Sequence, residues 1–225
     1  MPRDTLRAFI SYSVKDKSAG VRVKTALAEY GIKSFLAHDD VRVSEEWKDR
    51  ILEELNRCDV FVPLLSEDFC RSDWTDQETG IVFRRTDVVI IPLSIDGTMP
   101  YGFISHVQGK KIPRDGEWDA VLKEPLLKRF PRILIPHLIH RVENAYSFRN
   151  AEAVVKPLVD VFSSFTRKEA NQFALAAVKN NQVWSASLCS RQYIPAFIKL
   201  HRHNIREATL RALRYQIKQN KWFRG

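Results

Sequence analysis

Ser66-Glu67-Asp68-Phe69-Cys70-Arg71-Ser72-Asp73-Trp74-Thr75-Asp76-Gln77-Glu78 is the stretch whose reading decides the fold. It follows Cys58-Asp59-Val60-Phe61-Val62-Pro63-Leu64-Leu65, a nearly all-apolar run of the kind that forms a strand covered on both faces. The polar residues then make a turn into a helix, with Ser72 or Asp73 as N-cap. Trp74 and Glu78 stand four residues apart, so a ring and a carboxylate share one helical face. With the preceding strand central in a parallel sheet, this helix starts at the carboxyl rim, where open α/β folds bind their ligands.

The flanking sequence supplies the rest of such a sheet. Arg7 to Ser13 reads as a first strand ending in Ser11-Tyr12-Ser13, followed by a helix through Val21, Val23, Leu27 and Tyr30 that Gly31 closes. Ile32 to His38 is a second strand, and His38 to Ser44 a charged loop. Ser44 then caps a helix in which Trp47, Ile51 and Leu55 keep a helical period. Val88 to Ile95 repeats the buried-strand pattern, Ile104 to Val107 with Lys111-Ile112 gives a weak fifth strand, and Asp115 to Phe130 reads as helix despite Pro125. Ile133 to Leu138 is a short apolar segment of either type. Strand and helix in alternation predict an α/β domain over residues 1–145: five parallel strands, right-handed crossovers and helices on both faces.

From Tyr146 onward the pattern is helical only, predicting a small all-α module over 146–225. Thr166-Arg167-Lys168-Glu169 is a capping box opening a helix that Asn180-Asn181 closes, and Tyr193 to His203 forms another helix. Asn204 to Glu207 resembles a second box, followed by a stripe of Ile205, Ala208, Leu213 and Ile217 opposed by Arg206, Arg211, Arg214 and Lys218. Phe173, Trp184, Tyr193, Phe197 and Trp222 are expected to pack this module, and His201 and His203 to lie on its surface. The net charge of +9 belongs entirely to the tail: residues 151–225 hold 13 Lys+Arg against 4 Asp+Glu, residues 1–150 hold 23 of each. A protein or nucleotide partner suits such a surface.

Several chemistries are excluded. Neither a Walker phosphate loop nor a G-x-G-x-x-G fingerprint occurs. A receiver domain needs acids after the first strand and a phosphoacceptor Asp after the third, where this chain has Ser11-Tyr12-Ser13 and Leu65-Ser66. A flavodoxin wants a glycine in the loop after the first strand, which Val14-Lys15-Asp16 lacks. His137 and His140 have no further ligand at metal spacing, so no metal is expected. Cys58, Cys70 and Cys189 are an odd set without a C-x-x-C pair and are expected as reduced thiols. No secretory leader and no membrane-length apolar run is present, predicting a cytoplasmic protein without a membrane partner.

These residues together resemble a bacterial TIR domain over about residues 7–135. Phe9-Ile10-Ser11-Tyr12-Ser13 with Asp16 is similar to the family's first box, and Phe35 to Asp40 with the loop to Trp47 to its second strand and BB loop. Asp59 to Ser66 with Ser72 to Glu78 resembles the third strand and W-x-x-x-E helix, and Ile91-Pro92-Leu93 the fourth. The loop from Asp39 to Trp47 departs from the pattern in lacking the Pro-Gly often found there.

The resemblance implies a flavodoxin-like strand order and an NAD⁺-consuming enzyme, glycohydrolase or cyclase, that cleaves the nicotinamide–ribose bond in bacterial antiphage signalling. Glu78 matches the catalytic glutamate; Ser11, Tyr12, Ser13, Asp39, Trp47 and Trp74 are the residues expected to bind NAD⁺, which is substrate rather than cofactor. It also implies homo-oligomers formed through TIR–TIR contacts. The alternative within the same family is a non-catalytic adaptor that works through those contacts alone.

Overall fold

The computed structural model describes residues 5–37, 45–112 and 118–219, with backbone only at 45–47, 118–120 and 219. The chain divides into two compact units, Met1–Arg129 and Phe130–Gly225.

The first unit runs β1 (Arg7–Ser11), α1 (Lys17–Ala28), β2 (Lys33–Leu36), α2 (Glu45–Arg57), β3 (Val60–Leu65), α3 (Glu67–Cys70), α4 (Asp73–Phe83), β4 (Val89–Ile90), β5 (Leu93–Ser94), β6 (Lys110–Lys111) and α5 (Trp118–Arg129). Every pairing is parallel, in the order β2-β1-β3-β5-β6, with β4 also on β3. The strand expected over Val88 to Ile95 is divided. Val89 and Ile90 pair with Val60 and Phe61, and Leu93 and Ser94 with Leu64 and Leu65. Pro92 separates the halves because it has no N–H to give to a ladder, so six short strands fill five positions.

One expectation needs correction here. Ile104 to Val107 is not strand: a 3-10 turn spans Gly102–Ile104, and the edge strand β6 is formed by Lys110 and Lys111 against Leu93 and Ser94. Ile104 is apolar because it is buried with Leu65 and Phe69. Of the apolar residues along α1 and its end, Val21 is 46% exposed, while Val23, Leu27 and Tyr30 are buried. Gly31 closes that helix in the left-handed region at φ 71, letting the Ile32 N–H donate back to Leu27 O at 3.1 Å.

β3 is buried from end to end, as its all-apolar sequence requires. The rings of Phe9, Phe35 and Phe61 adjoin across β1, β2 and β3, at 5.3 Å for Phe9–Phe35 and 6.0 Å for Phe9–Phe61. Ile51 and Leu55 of α2 and Val82 of α4 cover them. Each such side chain taken from water contributes about 1.5–3 kcal/mol. α1 packs on β1, β2 and α5, and α5 reaches β4. Helices therefore lie on both faces of a parallel sheet with the flavodoxin-like order.

The second unit is helical: α6 (Pro131–Glu143), α7 (Phe148–Val159), α8 (Arg167–Lys179), α9 (Asn181–Ser185), α10 (Ile194–His201) and α11 (Glu207–Gln219). The ambiguous Ile133 to Leu138 segment is the interior of α6, whose Leu134, Ile135, Leu138, Ile139 and Val142 are buried. α6 packs on α7 and α8. This unit therefore begins ahead of residue 146, where the helix-only pattern is expected to start, and it includes α6.

The capping box at Thr166 forms: Thr166 N–H donates to Glu169 Oε2 at 2.7 Å and Glu169 N–H to Thr166 Oγ1 at 3.2 Å. The second box, expected at Asn204, does not. Arg206 N–H instead donates to Asn171 Oδ1 at 2.8 Å, and Asn171 Nδ2 to Asn204 O at 2.6 Å, so a side chain of α8 sets the start of α11. Leu210 and Leu213 are the buried stripe of α11, and Ala208 is exposed. Phe162, Phe165, Phe173 and Phe197 form a ring cluster, tightest at 4.5 Å for Phe173–Phe197. His201 is not a surface residue: it is buried beside Phe197 with Nε2 2.6 Å from Phe162 O, whereas His203 is exposed. Trp184 and Tyr193 are half-buried, and Trp222 lies outside the described residues.

Candidate active site

β1 and β3 are neighbours at the centre of the sheet, and the chain leaves them in opposite senses, toward β2 and toward β4. The switch point lies between their carboxyl ends, where Ser11 pairs with Pro63. The two following loops are tied together. Ser66 Oγ donates to Asp16 Oδ2 at 2.6 Å and accepts the Phe69 N–H at 3.0 Å as cap of α3. Lys15 Nζ meets Asp68 Oδ1 at 2.8 Å on the surface, an exposed pair worth well under about 1 kcal/mol that aligns more than it stabilises.

α4 is set by Thr75. Its hydroxyl lies 2.6 Å from Phe69 O and 2.7 Å from Ser72 O, joining the end of α3 to the first turn of α4. Ser72 is the N-cap position but gives no side-chain cap bond; the Thr75 hydroxyl fixes this turn by donating to carbonyls instead. The inward face of α4 is unusually polar: Thr75, Glu78 and Thr79 are all buried, spaced three and four residues apart. Thr79 returns its hydroxyl to Thr75 O at 2.7 Å. Glu78 has no such local outlet.

Glu78 is 2% exposed, and Ser11 Oγ donates to its Oε2 at 2.5 Å. Oε1 is buried and has no hydrogen-bond partner among the described residues. Burial pushes the carboxyl up to about 7, because the charged form loses water, while the Ser11 hydrogen bond pulls the other way. A buried carboxyl with one satisfied and one open oxygen is poised to change protonation near neutrality. A donor arriving at Oε1, such as a sugar hydroxyl, would complete its partners.

Of the residues expected to surround Glu78, the structure brings Ser11 to it. Tyr12 is fully buried, and its ring belongs to the α1 side: a Cβ on Gly20 would stand 3.6 Å from it. Ser13 is half-buried and accepts the Asp16 N–H on its carbonyl at 2.7 Å. Trp74 is 40% exposed, although it stands one turn before a buried Glu78. Residues four apart on a helix differ by about 40° in heading, enough at an interface to put one inside and one at the rim. Asp39 and the side chain of Trp47 lie outside the described residues.

Thr75 and Thr79 were not singled out by the sequence reading, although their spacing around Glu78 was visible. A threonine at a helical period with a carboxylate gives no apolar signal. Among the described residues no three His, Cys, Asp or Glu side chains are grouped to hold a metal ion. Cys58 and Cys189 are buried free thiols and Cys70 an exposed one.

No curated protein matches the chain. The sequence profile of the TIR domain matches residues 8–127, more than half of its length. That span runs from β1, with Ser11, through Glu78 and the whole of the sheet into α5, and on that match the chain belongs to the TIR domain family.

Proposed function

We propose that the chain cleaves NAD⁺ between nicotinamide and ribose, with Glu78 as the catalytic group. The observation that carries this reading is the buried Glu78 carboxyl at the β1–β3 switch point, held by Ser11 through one oxygen and without a hydrogen-bond partner among the described residues at the other. TIR domains associate with one another and include both NAD⁺-cleaving enzymes and non-enzymatic adaptors.

The chemistry suits a single carboxylate. An ordinary glycosidase needs one carboxyl to protonate the leaving oxygen and a second to act at the sugar. Nicotinamide leaves from a pyridinium: the C1′–N bond breaks, its electron pair goes to the ring nitrogen, and a neutral base departs without a proton. The positive charge left on the ribose is met by the Glu78 carboxylate, whose Oε1 takes a ribose hydroxyl as donor. Water then adds at C1′ and loses its proton, or a nucleophile within the adenosine half closes a ring.

One observation favours the second reading, a non-catalytic adaptor: at 2% exposure the carboxyl is nearly closed to a ribose. In the enzymatic reading, association of chains opens the cover, so turnover belongs to the assembled state. The experiment is release of nicotinamide from NAD⁺ by the purified protein across a concentration series. Release that rises faster than protein concentration and is lost in Glu78→Gln supports the enzyme. No release at any concentration, with self-association intact, supports the adaptor. The bacterial antiphage setting and a cytoplasmic location belong to the same proposal; protection of a bacterial host from phage that Glu78→Gln abolishes is its test. No helix among the described residues is long and apolar enough to cross a membrane.

A further inference from the structure

The second unit contains a groove unrelated to Glu78. It has a volume of about 940 Å³ and is lined by Pro195, Ile198, Lys199, Arg202, His203, Arg214, Ile217 and Lys218. Pro195, Ile198, Lys199 and Arg202 recur at i, i+3, i+4 and i+7, a single face along α10 and the residue after it. Arg214, Ile217 and Lys218 recur at i, i+3 and i+4, a single face of α11. The adjoining faces hold the two helices in place: Ile194, Phe197 and His201 on α10 and Leu210 and Leu213 on α11 are buried. α11 packs on α8 and α9, and α10 on the turns at Phe162–Ser164 and Cys189–Tyr193. Two helices seated on different elements leave a trough between the faces that carry these residues.

The trough has an apolar floor, with Ile198 and Ile217 half-buried, and cations along both edges: Lys199 and Arg202 on one, Arg214 and Lys218 on the other. None of these four meets a carboxylate among the described residues, and no acid lines the groove. Arg202 turns its Nε to His203 Nε2 at 2.8 Å, leaving the rest of its guanidinium for a ligand.

We propose that this groove docks an acidic amphipathic helix of a partner protein. Size, shape and charge agree on that occupant. A helix 10 Å across rising 1.5 Å per residue fills about 120 Å³ per residue, so the groove takes about eight residues, two turns. An apolar stripe at i, i+3, i+4 and i+7 would lie on Ile198 and Ile217, and acids flanking it would meet both cationic edges. A nucleic acid would leave the apolar floor unused and finds, among the described residues, no aromatic side chain in the lining on which to stack a base. A lipid surface is flat and would reach the edges but not the floor.

The test uses the full chain and a fluorescein-labelled synthetic 14-residue peptide with leucines at helical spacing and glutamates elsewhere, read by anisotropy. A scrambled peptide of the same composition, oligo(dT)12 and phosphatidylserine vesicles are run beside it. The expected result is saturable binding of the patterned peptide at least tenfold tighter than the scrambled one. Ile198→Asp, and separately the pair Arg202→Glu with Arg214→Glu, should each weaken it tenfold or more while circular dichroism stays unchanged. Equal binding of the scrambled peptide, no saturable binding of the patterned one, or tighter binding of the oligonucleotide or vesicles with loss in the same variants would overturn the proposal.

Discussion

At the scale of the residue, the protein turns on how Ser11 and Glu78 share a proton-sensitive contact. The folded carboxyl titrates at about 7 against 4.5 when free, so the folded state is the less ionised one between those values. Stability from this group is therefore greatest below about pH 4.5 and declines as pH rises through 7. Glu78→Gln, which carries no charge to bury, should be more stable than the natural protein at pH 8, by up to about 3 kcal/mol, with the gain gone at pH 4. Urea unfolding at the two pH values measures this. In the proposed enzyme, catalysis that needs the ionised form runs the opposite way: kcat/KM for nicotinamide release should rise with pH through a midpoint near 7. Ser11→Ala removes the one hydrogen bond that lowers the carboxyl, so that midpoint should move upward; an unmoved midpoint would separate Ser11 from the titrating group. The W-x-x-x-E spacing was readable in the sequence. Burial of Glu78 beside an exposed Trp74 was not, because a spacing of four fixes which residues are neighbours and leaves open how the helix is rotated against the sheet.

At the scale of the element, α4 depends on a threonine and α9 on an asparagine. Thr75→Val keeps the shape and removes the hydroxyl shared by Phe69 O and Ser72 O, and should cost about 1–2 kcal/mol in urea unfolding while loosening the turn that sets Glu78. Asn180 spans more: Nδ2 lies 2.9–3.1 Å from the carbonyls of Val142, Glu143 and Ala145, and Oδ1 caps α9 through the Gln182 N–H at 2.9 Å. Asn180→Ala should therefore cost about 2 kcal/mol or more, measured the same way. The buried runs at β1 and β3 were legible because both faces of those strands are covered. β4, β5 and β6 are two residues long, too short for a pattern to outweigh Pro92 and the turn at Ile104. The start of α11 was misread for a different reason: its cap comes from Asn171, which no local spacing reveals.

At the scale of the whole molecule, the packing boundary sharpens the charge division that composition suggested. Phe130–Gly225 holds 16 Lys+Arg against 5 Asp+Glu, while Met1–Arg129 holds 20 against 22. All the positive excess thus sits in the unit that carries the cation-edged groove. A fragment of residues 130–225 should melt cooperatively by circular dichroism, since the ring cluster around Phe173 and the apolar face of α6 are both within it. A fragment beginning at residue 146 lacks α6 and should lose that cooperativity, because α8 and α7 then expose the surface α6 covered.

The rim above β1 and β3 behaves as a stitched seam, through Ser66 with Asp16 and Lys15 with Asp68. A protease nick in either loop would leave the cut ends clasped by the stitches of the other, so damage there would register as a lowered melting temperature well before any piece came away.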